Sequence, residues 1–91
     1  MTYEDEIEGL RKEINRLNEE ILERLAKRVQ IAIEIGLVKK RYGRPIVDRA
    51  REKAVYKQVR RLAEKHNLDP EGVERVFRET VSLCTKAQVE A

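Results

Sequence analysis

Between Glu4 and Arg41 the chain contains no proline, and its only glycines there are Gly9 and Gly36. Along the same stretch Ile7, Leu10, Ile14, Leu17 and Ile21 recur at spacings of three and four. That is the period of one face of an α-helix, and nothing interrupts it, so the stretch reads as a single helix. At about 1.5 Å per residue it would be roughly 57 Å long, against a diameter of roughly 25 Å for a compact domain of this size. A helix that overshoots its own domain cannot bury its apolar stripe alone.

The remainder of the chain is too short to make up the difference. Tyr42-Gly43-Arg44-Pro45 punctuates the first helix, and Asp48 is placed to cap a second helix running to about His66, with Val55, Val59 and Leu62 as its inner stripe. His66 then reads as a helix-end residue. Asn67-Leu68-Asp69-Pro70 forms the next boundary. Asp69 caps the third helix there, and Pro70 takes the first helical position, where a missing N–H costs nothing. By the same rise per residue the second and third helices would be near 28 and 31 Å long, and would cover only part of the first. Charged residues make up 41% of the chain and aromatics 4%, which suits long helices better than a sandwich or barrel. Residues 1–91 therefore read as one all-α domain of three helices, one long and two shorter. The uncovered stripe calls for a second copy, giving an intertwined homodimeric bundle.

Several classes of function are disfavoured. With one cysteine, Cys84, and one histidine, His66, the chain supports neither a disulfide framework nor a Cys/His zinc site, so no metal and no cofactor are expected. No apolar run approaches a bilayer span, and the amino terminus is acidic where a signal peptide would be basic, so the expectation is a cytoplasmic protein with no membrane partner. Twenty Lys and Arg against 17 Asp and Glu leave a net charge of +3, with the signs interleaved. Nucleic-acid modules concentrate their positive charge and add stacking aromatics, so no nucleic-acid partner is expected. The basic segment from Lys39 to Arg51 is the best candidate for such a patch, and a solvated helix end explains it equally well.

What singles the chain out is charge in register with its core. Continued past Ile21, the stripe of the first helix reads Leu25, Arg28, Ala32, Ile35 and Lys39, so two cations stand where apolar residues belong. They are about three turns apart, project within roughly 20° of each other and lie about 16 Å apart along the axis, so they can face one cavity. The ordinary alternative is that both extend to solvent along their aliphatic stems. The other helices repeat the pattern. The stripe of the second extends back to Arg51 and Glu52, with Asp48 one turn earlier, and Val73, Phe77 and Val81 of the third extend forward to Cys84 and Gln88. Buried charge is costly unless paired or liganded, so polar groups converging from three helices describe a pocket for a charged molecule. The excess of Lys and Arg makes that molecule an anion.

Leu10-Arg11-Lys12-Glu13-Ile14, Leu25-Ala26-Lys27-Arg28, Lys39 and Pro45-Ile46-Val47-Asp48-Arg49-Ala50-Arg51-Glu52 resemble the AroQ family of chorismate mutases over nearly the whole chain. The resemblance implies an isomerase of the shikimate pathway, converting chorismate to prephenate for aromatic amino acid biosynthesis. It implies that Arg11 and Arg28 bind the two carboxylates of the chorismate dianion. Lys39 and Gln88 would address the ether oxygen of the breaking bond, and Glu52 would receive the ring hydroxyl. Arg51 and Asp48 would complete the polar wall. Cys84 stands where many relatives carry a small hydroxyl residue that reaches a substrate carboxylate, and a thiol is a weaker donor, so either a substrate contact or plain packing fits it.

One family feature has independent geometric support. Arg11 and Arg28 are seventeen residues apart, roughly 25 Å along one helix and about 100° around it, so one small molecule cannot touch both from the same helix. If a two-fold axis crosses the long helix near residue 23, residue 11 of one chain lies opposite residue 35 of the other, between Arg28 and Lys39. Arg11 would then be contributed across the interface, and two equivalent sites would result. A Claisen rearrangement needs no nucleophile, metal or redox group, only a held conformer and donors where negative charge grows. Two other readings stay open at this level: an isochorismate pyruvate lyase of the same fold, and a non-catalytic dimerisation module in which Arg28 and Lys39 set pairing and orientation.

Overall fold

A computed structural model describes residues 1–91 as three α-helices, α1 (Tyr3–Arg41), α2 (Arg49–Lys65) and α3 (Pro70–Glu90). Each start follows from a capping side chain. Thr2 Oγ1 accepts from the Asp5 amide and Asp5 Oδ2 from the Thr2 amide, both at 3.2 Å, a reciprocal box that moves the start of α1 one residue ahead of the expected Glu4. Asp48 Oδ1 accepts from Arg51 N at 3.0 Å, and Asp69 Oδ2 from Gly72 N at 3.1 Å, with Pro70 opening α3.

The stops share one motif. Past the end of α1, Gly43 adopts φ 65°, the Arg44 amide donates to Lys39 O at 2.8 Å and the Gly43 amide to Lys40 O at 3.2 Å. Past α2, Asn67 adopts φ 57° while Leu68 N reaches Ala63 O and Asn67 N reaches Glu64 O. Both are left-handed caps that satisfy the last carbonyls, one made by Gly and one by Asn, the two residue types best suited to that conformation. α2 ends at Lys65 with His66 as its C-cap, so His66 is a helix-end residue, as expected.

α3 is the element on which the others meet. It packs against both α1 and α2, whereas α1 and α2 do not approach each other at backbone level. Arg28 faces Cys84 and Ala32 faces Gln88, so residue numbers rise together and α1 runs parallel to α3. The short connection at residues 66–69 turns α2 antiparallel to α3. Val55, Val59 and Ala63 are the buried residues of α2. Leu62, expected on that stripe, is 44% exposed, because positions four apart line the seam and the small Ala63 lets the helices close there. On the outside of this pair Glu74 bridges Arg60 at 3.1 Å and Arg78 at 2.8 Å, and Arg78 lies 4.3 Å over the Tyr56 ring. The hydrogen bond that Arg78 Nε donates to Glu74 Oε2 raises the Arg78 pKa further above its already high value.

The single chain does not close a core. Only six of its 91 residues are buried, no large side chain is fully enclosed, and the radius of gyration is 17.2 Å, where a compact chain of this length would have about 12 Å. The excess is the amino-terminal half of α1. There Leu10, Ile14, Leu17, Ile21 and Leu22 are each 45–62% exposed. No helix is long and apolar enough to cross a membrane.

Candidate active site

The gap between α1 and α2 is a cavity of about 260 Å³, floored by α3. Arg28 and Lys39 enter it from α1, Asp48, Arg51 and Glu52 from the start of α2, and Cys84 and Gln88 from α3. Seven of the eight residues singled out in the sequence thus line one space. Arg11, the eighth, does not: it lies on the free half of α1, exposed and away from this cavity. The two in-register cations of α1 do not run out to solvent, as long amphipathic helices usually allow; both are only part-exposed.

The electrostatics of the cavity are unbalanced. Arg28, Lys39 and Arg51 have no carboxylate within 4.0 Å, although Asp48 and Glu52 stand in the same wall. Both acids are otherwise engaged. Asp48 caps α2 through the Arg51 backbone amide, and Glu52 Oε1 is 3.3 Å from Arg49 Nη1. Three cations and two carboxylates around one hollow, with none of the cations in an ion pair, give it a net positive character.

Each donor is also oriented. Lys39 Nζ donates to the Ile46 carbonyl at 2.8 Å, so the turn between α1 and α2 holds its ammonium and leaves two of its three hydrogens free. Gln88 Nε2 donates to Ala32 O at 2.7 Å, which fixes the amide with its nitrogen toward α1 and keeps a second hydrogen available. Arg28 Nη1 lies 3.0 Å from Cys84 Sγ. The thiol is buried and serves as a weak acceptor for the guanidinium, so Cys84 does more than fill space.

Sequence reasoning missed part of the wall. Ala32, Ile35, Val55 and Val81 line the cavity as members of the expected stripes, whereas Ile31, Ile46 and Thr85 line it without having been singled out. Thr85 was legible in principle, because positions 81, 84, 85 and 88 share one helical face. The Ile46 carbonyl was not, since no residue type announces a main-chain acceptor. Arg49, the partner of Glu52, is a three-residue helical neighbour that the spacing could have supplied.

The profile of the family described as chorismate mutase type II matches residues 10–89. A Methanocaldococcus jannaschii protein named chorismate mutase is 34% identical over 65 residues, which is 71% of this chain and 66% of that protein. The bifunctional chorismate mutase/prephenate dehydratase of Escherichia coli K12 is 35% identical over 77 residues, 85% of this chain and 20% of the relative. The T-protein of Enterobacter agglomerans is 37% identical over 73 residues, with 80% and 20% covered. The chain thus spans just under two thirds of the first and about a fifth of the other two. Because the matched profile runs from the exposed half of α1 to the last turn of α3 and takes in every residue of the cavity, the chain belongs to the chorismate mutase type II family.

Proposed function

We propose that the chain catalyses the rearrangement of chorismate to prephenate, and that it does so as a homodimer. The observation that supports this reading is the set of three cations, none in an ion pair, around a hollow that also presents an amide donor. Chorismate is a flexible dianion whose reaction breaks an ether C–O bond and forms a C–C bond within one molecule, with no atom gained or lost. Such a reaction is accelerated by holding the chair-like conformer and by donors that meet the charge growing on the ether oxygen. Arg28 anchors one carboxylate from its perch on Cys84. Lys39 and Gln88, each with hydrogens to spare, face the ether oxygen, and Glu52, held by Arg49, accepts from the ring hydroxyl. Arg51 and Asp48 close the wall at the start of α2.

The second carboxylate is met by Arg11 of the partner subunit. The exposed Leu10, Ile14, Leu17 and Ile21 supply the apolar seam for that association. Charge supports the same pairing: residues 3–24 carry eight carboxylates against four cations, while the rest of the chain carries nine against sixteen. An acidic arm laid against a partner's basic body is attractive; two arms alone would repel. The test is to mix purified protein with chorismate, and separately with isochorismate, and identify the products. Prephenate from the first is expected. An unchanged chorismate solution, or conversion of isochorismate alone, would refute the assignment.

A further inference from the structure

Gly36 is an anomaly in α1. Glycine is a poor residue for a helix interior, and the rest of this 39-residue helix is built from better formers apart from Gly9, which has nothing within 4 Å of where a side chain would stand. Gly36 is different. A Cβ built on it would lie 3.1 Å from both Cβ and Cγ of Gln88 and 3.6 Å from its Cα. The missing side chain is thus the space in which the stem of Gln88 lies. The amide at the end of that stem donates to Ala32 O, the carbonyl one turn before Gly36 and the one its own amide addresses in the helical ladder. Ala32 fixes the direction of the carboxamide, and the bare backbone at Gly36 fixes its depth.

The geometry points to Gly36 as a positioning residue for catalysis, setting how far the Gln88 amide reaches into the cavity. This inference rests on the functional reading above, in which Gln88 meets charge that develops only in the transition state. A methyl group at position 36 displaces the Gln88 stem by a few tenths of an ångström. Misplacement by 1 Å can cost about a hundredfold, so a shift of that size costs about three- to tenfold. Because the lost interaction is absent from the ground state, kcat falls and KM stays within about twofold.

The experiment is a kinetic cycle of wild type, Gly36→Ala, Gln88→Ala and the double variant, with thermal unfolding and sedimentation of each. The expected result is a kcat loss for Gly36→Ala that disappears when residue 88 is already alanine, with no loss of the folded dimer. A merely structural role would lower Tm or raise KM, and its effect would persist in the Gln88→Ala background; that pattern overturns the proposal, as does unchanged kcat. Gln88→Asn tests the same depth from the other helix without crowding α1. It withdraws the amide by one methylene and is expected to lose most of what Gln88→Ala loses; wild-type kcat there would also overturn the proposal. A wild type that leaves chorismate unconverted refutes the functional reading and this inference together, whereas an active wild type with an additive cycle refutes this inference alone.

Discussion

If Arg11 is supplied by the partner subunit, as proposed, two inactive variants should restore each other. Arg11 and Arg28 lie on one helix, about 25 Å apart along its axis, and only Arg28 lines the cavity. That separation, with about 100° between them around the axis, keeps the two guanidinium groups of one chain from meeting on one small molecule. In the proposed dimer each cavity combines Arg28 of its own chain with Arg11 of the partner subunit. Arg11→Ala and Arg28→Ala are each expected to be nearly inactive, by about a hundredfold or more, since each removes a charged anchor from every site. Unfolded together in equal amounts and refolded, they pair at random, and about half of the dimers are mixed. In a mixed dimer one cavity carries both substitutions and the other carries neither. About a quarter of wild-type activity should therefore return. The assay is prephenate formation after co-refolding, with the mixed dimer isolated through two different affinity tags. A verified mixed dimer with no more activity than its parents would refute the trans arrangement of Arg11.

Three further outcomes follow from particular contacts. Lys39→Ala should lose about a hundredfold or more in kcat while Lys40→Ala stays near wild type, because only Lys39 enters the cavity, tethered to Ile46 O; equal losses in steady-state kinetics would contradict this. Ile14→Asp should shift sedimentation toward monomer at micromolar concentration and abolish activity with it, since it sets a charge in the 56%-exposed position that the partner is expected to cover; an intact, active dimer would exclude this seam. Val59→Ala, at a position only 4% exposed between α2 and α3, should lower stability by about 2 kcal/mol, the transfer and cavity terms for two lost methyl-sized groups, as read by urea unfolding of the dimer.

Much of the architecture was legible because it depends on local chemistry. The absence of proline from Glu4 to Arg41 and the three-and-four spacing of its apolar residues specify α1. Asp48, Asp69 and Pro70 announce the two later starts, and Gly43 and Asn67 supply the left-handed caps that stop α1 and α2. Arg28 and Lys39 could be assigned to one cavity because helix geometry alone makes them co-facial. Leu62 was misread because a stripe three or four wide does not say which of two neighbouring positions the opposing helix will cover. That depends on the crossing, and the crossing depends on how small Ala63 is.

Sequence by itself determined the helices, their ends, the set of polar residues and the need for more apolar cover than one chain provides. Each follows from the period of a helix, the conformational preferences of individual residues, or its length against its volume. Tertiary structure alone decided that α1 and α2 stand apart over α3, leaving a hollow where a core would otherwise be. It also decided which acids are occupied and which cations are left over: Glu52 turns to Arg49 and Asp48 to its own helix, so Arg28, Lys39 and Arg51 remain outside any ion pair. Pairing between charges depends on distances of a few ångströms between elements far apart in the chain, and no spacing along one helix specifies those. The same holds for the close approach at Gly36. A glycine in a helix signals only that something is near, and Gln88 became its neighbour when α3 lay down parallel to α1.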